Sequence, residues 1–362
     1  MNYYALLVVL VLAAAVLMHG NREKNLKFII VASLLLFAIY GLRDVYHIGS
    51  DSKTSYLGNF WRVQGMSWKQ VIDRAGGTNV LFHLMTKAFC SFISTDYQLY
   101  ASLIAVFVSV CFAQLLYRYS PDPLQSILYH LGLLLFTFHF DALKQSIAMA
   151  ILMLAFNQIV DKKPVKFLLL VLIAGQFHFP AFIFLPMYWV AKIHPGRGFL
   201  CILGILLLLT YIFRNQLLNF MLNLYKEEDS SVDISNVTFF RTKALIMLVI
   251  VIAAMMFRIP SAEDRVYGIL LEFMGLAIVF QTFCGYNNIF ERLADYFFQF
   301  SVIFIPMVFD KKATRKSLFD WRFLHVADDL APYLFCGFGV YRFITTVTAS
   351  SLLYPFRFFF QS

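Results

Sequence analysis

The chain has 362 residues, 60% of them apolar and only 14% charged, with a mean hydropathy of +0.71. A water-soluble chain carries about 25% charged residues, so long apolar runs such as 199–210 exclude a soluble domain: too little polar surface is left to cover them. The net charge of +9 does not point to nucleic acid, because the basic residues punctuate the gaps between apolar segments, which is how a membrane protein records its topology.

A span needs roughly 20 apolar residues, and 17 sometimes suffice. In chain order the candidates are 3–18, 26–42, 98–117, 124–140, 145–160, 166–177, 180–191, 199–213, 240–257, 266–284, 293–309 and, more weakly, 331–348. The first lacks a basic stretch before it and a small-residue cleavage site after it, so it reads as a retained span. The short pieces 166–177 and 180–191 are separated by Phe177-His178-Phe179-Pro180, where proline removes a backbone donor and restricts the residue before it. The fold class expected is all-α: a polytopic transmembrane helical bundle of about 11–12 spans, forming one domain over 1–362.

Orientation follows from parity. The gaps richest in Lys and Arg are 21–27, 161–166, 192–198 and 310–322, the last continuing as a basic cytoplasmic loop over 310–325. All four are cytoplasmic only if 80–93, which contains His83 and Lys87, lies on the outer surface as an amphipathic helix instead of crossing. The N-terminus is then outside, as are 43–97, the turn at Asp141, His178, the loop 214–239 with its acidic run Glu227-Glu228-Asp229, and 285–292. Arg43, Lys53, Arg62, Lys69 and Arg74 also fall outside, against the positive-inside trend, unless those cations have work to do.

Four polar sites gather on that face. Gly41-Leu42-Arg43-Asp44 leaves a span and runs into Gly49-Ser50-Asp51 and Tyr56, a pattern that also suits an interfacial cation and an Asx turn. Lys144-Gln145 sits at the mouth of two apolar helices, where snorkelling is the ordinary explanation. His178 at the helix break also fits a bond to a freed carbonyl. Arg292 and Tyr296 share one helical face, with Asp295 a local partner for Arg292. Ionisable groups near a bilayer tend to line a pathway or site. Arg43, Lys144 and Arg292 suit a diphosphate, and Asp51 and His178 are groups able to accept a proton. The five cysteines show no CxxC or metal spacing and read as packing residues; neither a metal nor a cofactor is expected.

At these residues the chain resembles the EpsG-type polysaccharide polymerases, grouped functionally with the Wzy oligosaccharide repeat-unit polymerases. The likeness is carried by Gly41-Leu42-Arg43-Asp44, Gly49-Ser50-Asp51 with Tyr56, Lys144-Gln145-Ser146-Ile147-Ala148, Phe177-His178-Phe179-Pro180-Ala181, Arg292-Leu293-Ala294-Asp295-Tyr296-Phe297 and Tyr354-Pro355-Phe356-Arg357-Phe358-Phe359. It departs at Lys144, where the family usually has Arg, and at Pro180, where a serine or similar small residue is usual. The resemblance implies a glycosyltransferase that joins undecaprenyl-diphosphate-linked oligosaccharide units into O-antigen, capsule or exopolysaccharide. It would work at the outer face of the bacterial cytoplasmic (inner) membrane, with the lipid bilayer, a chain-length regulator and a flippase as candidate partners. On that reading Arg43, Lys144 and Arg292 hold the diphosphate and Asp51 or His178 activates the hydroxyl. Tyr56, Gln145 and Tyr296 position the sugar, with Trp61 and Trp68 as stacking surfaces. The rivals are a flippase for the same lipid, for which inverted repeats with paired broken helices are missing from the sequence, and a ligase that shares the donor chemistry.

Overall fold

A computed structural model of the chain describes residues 2–18, 20–193, 195–217, 219, 242–260, 264–282, 289–310 and 322–361. The acidic run at 227–229, most of the 214–239 loop, most of 285–292 before Arg292, and the basic stretch 311–321 lie outside them. The chain folds into two compact units, one of residues 1–185 with 330–362, the other of 186–329.

The first unit contains α1 (Tyr3–Met18), α2 (Arg22–Gly41), α3 (Leu57–Gln64), α4 (Trp68–Ala75), α5 (Val80–Phe92) and α6 (Tyr97–Tyr119). It continues through α7 (Pro123–Gly132), α8 (Leu135–Phe138), α9 (Leu143–Val160), α10 (Pro164–Phe177) and a 3-10 turn at Phe179–Phe184. The second contains α11 (Met187–Val190), α12 (Phe199–Ile212), α13 (Thr242–Phe257), α14 (Arg265–Gln281), α15 (Ile289–Phe298) and α16 (Ser301–Val308). Helix α17 (Arg322–Ala349) returns to the first unit from Leu330 onward. The fold is all-α, and the protein is a polytopic membrane protein. Arg22–Gly41, Tyr97–Tyr119, Leu143–Val160 and Leu330–Ala349 are each long and apolar enough to cross a bilayer, and shorter apolar helices accompany them.

Local chemistry sets the helix starts. The Asn21 side chain accepts from Lys24 N at 2.9 Å, and that of Asp96 from Gln98 N at 2.8 Å, each satisfying an orphan first-turn donor. Helix α4 opens with a Ser67–Gln70 capping box and closes on Gly76 at φ +54.

Three expected spans are broken. The stretch 124–140 forms α7 and α8 because Leu134 adopts a left-handed φ of 63, which stops the helical ladder. The stretch 180–191 forms a 3-10 turn and a single α-turn, with prolines at 180 and 186. The stretch 293–309 divides between α15 and α16.

Hydrogen bonds fix the order of helix ends within the first unit. Gln98 Nε2 and Ser102 Oγ donate to Gly41 O at 3.2 and 2.6 Å, while Arg22 meets Tyr117 OH at 3.4 Å, so α2 and α6 run antiparallel. An Arg118–Asp161 ion pair joins the last turns of α6 and α9. Their first turns both meet the Ser52–Tyr56 turn: Tyr97 OH donates to Ser52 O at 2.8 Å, and Lys144 N reaches Tyr56 OH at 3.5 Å. Helices α6 and α9 are therefore parallel. One end of the unit collects Gly41–Arg43 and the starts of α6 and α9; the other collects Arg22, Arg118, Asp161 and Lys163. Helix α10 starts beside Asp161 and carries the chain back to His178. Helix α7 meets α17 at Gly132 and Gly339, where a Cβ on Gly132 would stand 2.5 Å from the Gly339 Cα, and Arg342 donates to Gly132 O at 2.9 Å.

Candidate functional site

The end of the first unit that holds Arg43 is built on a turn. Gly49 sits at φ +98, and a Cβ there would lie 2.9 Å from Asp141 Oδ1 and 3.1 Å from Phe140 O, so only glycine fits. That close approach lets the Asp141 carboxylate accept from the main-chain N–H of Ser50, with the Asp51 N–H as a second donor. Burial raises the Asp141 carboxyl above its ordinary value, with the Asp51 charge adding to the rise; the Ser50 N–H and the Arg43 charge act against it. Asp51 is half-buried and leads into the Ser52–Tyr56 turn.

Arg43 is wholly buried. Its guanidinium donates to Tyr40 O and, at 2.9 Å, to Phe140 O, and lies 5.1 and 4.9 Å from the centres of those two rings. Its main chain forms an antiparallel bridge with Phe358, flanked by Asp44 N to Arg357 O at 2.9 Å and Phe359 N to Leu42 O at 3.0 Å. One side chain thus ties together the end of α2 and the turn before α9, and its backbone adds the C-terminal segment. Closing that segment onto α1, Tyr4 OH donates to Leu353 O at 3.1 Å.

Lys144 opens α9 half-buried, its ammonium 5.2 Å from the centre of the Phe82 ring. Tyr56 also packs edge-on against Phe82, its ring 5.9 Å away. Among the described residues no carboxylate pairs with Lys144; its charged neighbour is Arg74, exposed on the last turn of α4. Beside them His83 is 9% exposed, with a buried Nδ1 that has no hydrogen-bond partner. Burial, with the charges of Lys144 and Arg74 close by, holds that imidazole down at about 4. The charges of Lys144 and Arg74 thus both act on a neutral imidazole, and among the described residues neither cation has a carboxylate partner, an arrangement that favours an anion. Gln145, next along α9, is buried.

His178 is half-buried in an extended conformation that ends α10. Its carbonyl accepts from Ala181 N at 2.9 Å, and the next residue, Phe179, donates its N–H to Asn79 Oδ1 at 2.9 Å, four residues before His83. The structure therefore brings Arg43, Asp51, Tyr56, Lys144, Gln145 and His178 to one end of one unit. Trp61 and Trp68, on α3 and α4 of the same unit, are exposed.

Arg292 and Tyr296 belong to the second unit, on α15. Arg292 is exposed and Tyr296 wholly buried. The ion pair of Asp295 is with Lys243 of α13, at 2.6 Å, and Lys243 also reaches Glu291 at 3.0 Å. The Arg292 charge acts on Asp295 as spacing suggests, but the hydrogen-bonded ion pair of that carboxylate is the longer-range one with Lys243.

Asp141, His83 and Arg74 are the site residues that sequence reasoning passed over. Arg74 had a signal, as one of the outer cations that the positive-inside trend leaves unexplained.

The EpsG family model matches residues 26–326 of this chain. The chain belongs to the EpsG family. EpsG membership places it in polysaccharide biosynthesis as a glycosyltransferase-like polymerase of the membrane. No curated protein and no solved structure matches it.

Proposed function

We propose that this protein joins polyprenyl-diphosphate-linked oligosaccharide units into a bacterial polysaccharide at the outer face of the cytoplasmic membrane, with its N-terminus outside. The observation that carries this reading is the Lys144 ammonium, which has no acidic partner among the described residues and lies beside His83 and Arg74 at a helix mouth.

The chemistry asks for such a group. A sugar hydroxyl of one unit forms a bond to the anomeric carbon of the other, and the anomeric C–O bond to diphosphate breaks. The electron pair goes to the leaving oxygen, and the hydroxyl proton goes to a base. Charge develops on the diphosphate at the membrane surface, where a fixed cation stabilises the transition state. Lys144 is that cation. Asp51 takes the proton; it is tied to the Asp141–Lys144 segment through Asp141 and through the turn ending at Tyr56. His178 is the alternative base. Tyr56 and Gln145 line the approach of the sugar.

Arg43 is given a positioning role, because its side chain is wholly buried and both terminal nitrogens of its guanidinium are held by main-chain carbonyls. Arg292, exposed on α15, keeps its assignment as a phosphate contact, taken for its own unit; Tyr296, four residues on, is wholly buried, which leaves it a packing residue of that helix.

Lipid-linked oligosaccharide profiling tests the reading. Cells lacking the protein and complemented with Lys144→Gln should accumulate single lipid-linked units and make no long polymer. Accumulation of long lipid-linked chains would instead indicate a ligase, and an unchanged profile would remove Lys144 from the mechanism.

A further inference from the structure

An apolar groove of about 430 Å³ runs between α5, α6, α9 and α10, lined by residues that include Met85, Phe89, Phe107, Ile147, Ile151 and Phe177. Its one hydroxyl, on Tyr100, is already engaged with Thr86 Oγ1 at 2.8 Å. The volume lies in the range of small-molecule sites, about 300–1,000 Å³, and its lining leaves nothing to hold water.

Two features say what fills it. The first is continuity with the unpaired cations. On α9, Ile147 and Ile151 follow Lys144 at three and seven residues, and on α5, Met85 and Phe89 follow Phe82 at the same spacings. Each set occupies one helical face, and the ammonium of Lys144 rests on Phe82, at the head of both stripes. The second is a lateral opening. Phe92 and Ile93, at the end of α5, line the groove yet are 78% and 65% exposed, and Leu103 on α6 is 46% exposed. On an amphipathic helix lying at the membrane surface, such apolar residues turn toward the hydrocarbon. From Lys144 to Ile151 the groove descends about 10 Å along α9.

We infer that these four helices form a site for one lipid molecule, its phosphate head against Arg74, His83 and Lys144 and one hydrocarbon tail in the groove. A cationic mouth without an acid selects an anionic head; a dry, laterally open groove selects a chain that arrives from the bilayer. The lipid is the polyprenyl-diphosphate donor, an assignment that rests on the function proposed above. Arg74 and His83 thereby become contacts to the donor head, and α5 becomes the wall that holds the tail.

The test uses the full chain in phosphatidylcholine nanodiscs, with polyprenyl diphosphate as the probe and binding read by native mass spectrometry. Ala88→Trp, which fills the groove, and Arg74→Gln, at an exposed position, should each weaken binding about tenfold, while Leu99→Trp, outside the groove, should not. Phe92→p-benzoylphenylalanine should crosslink to the tail on irradiation, which keeps the assignment testable should Ala88→Trp fold poorly. Wild-type affinity in Ala88→Trp, or an absent crosslink, would overturn the groove assignment. Equal competition by phosphatidylglycerol would overturn the choice of lipid. The two readings fail separately: Lys144→Gln cells that still make polymer remove Lys144 from the mechanism proposed above, whereas wild-type binding by Ala88→Trp with polymer still lost in Lys144→Gln sinks only the groove.

Discussion

Lys144 Nζ stands 5.2 Å from the centre of the Phe82 ring, so the cation at the start of α9 rests on the first turn of α5. A cation over an aromatic face gains about 0.5–1 kcal/mol when exposed and more when desolvated. That contact steadies the ammonium without neutralising it, leaving its charge for a ligand.

His83, beside the same cation, makes the unit acid-sensitive. Its imidazole is held at about 4, below the ordinary value of 6.5. The folded state therefore resists protonation that the unfolded chain accepts. The sign is fixed: this stability is fully present above 6.5 and is lost as pH falls from there toward about 4. The melting temperature of the detergent-solubilised protein should fall over that window, and the fall should shrink in His83→Leu. Parallel curves for the two proteins would show that His83 does not titrate this way.

Arg43→Leu should lower stability by about 3 kcal/mol, since two charge-assisted bonds to buried carbonyls disappear. Arg43→Lys should not restore it, because an ammonium lacks the planar fork that spans both carbonyls. Thermal unfolding in detergent checks this. A Leu variant that melts like the wild type but makes no polymer would move Arg43 from positioning to direct contact with the donor.

Asp51→Asn should fold normally and slow polymerisation by about 10²–10⁴-fold, the usual worth of a general base. Polymer length and lipid-linked intermediates, measured at matched expression, give the comparison with His178→Gln. If the Asn variant polymerises and the Gln variant does not, the base is His178.

In the second unit, Asp295→Ala should destabilise by about 1.5–3 kcal/mol, because the Lys243 ammonium loses its shorter, buried partner and keeps only Glu291. Arg292→Ala, at an exposed position, should leave folding intact and shorten the polymer. Solubilised yield and melting separate the two. Normal long chains in Arg292→Ala would end its assignment as a phosphate contact.

How far these features are legible in the sequence depends on the range of the interaction. Helices of the first unit follow apolar runs closely, because burial in a bilayer demands uninterrupted hydrophobicity: the expected 145–160 is α9, Leu143–Val160, and 166–177 is α10, Pro164–Phe177. The break in 124–140 turns on the left-handed backbone of Leu134, a residue with no turn signature. Lys144 is visible as a cation at a helix mouth. Arg43 is visible as a cation but not as a buried one, since its partners lie near Phe140 and Phe358, far along the chain. Likewise Asp295 has a plausible partner three residues away in Arg292, yet pairs with Lys243, 52 residues distant, which helix packing brings within reach. Spacing rules see one helix at a time.

The central claim is that this protein polymerises a lipid-linked glycan using Lys144 to hold the leaving diphosphate. The most direct measurement is reconstitution of the purified chain in liposomes with a polyprenyl-diphosphate-linked oligosaccharide as the sole substrate, products being resolved by mass spectrometry. The wild type should give a ladder of glycans whose length matches the polyprenyl diphosphate released. Lys144→Arg should retain the ladder, and Lys144→Gln should lose it by about 10²-fold, as for removal of one transition-state donor. No ladder from the wild type, or an equal one from Lys144→Gln, would contradict the account.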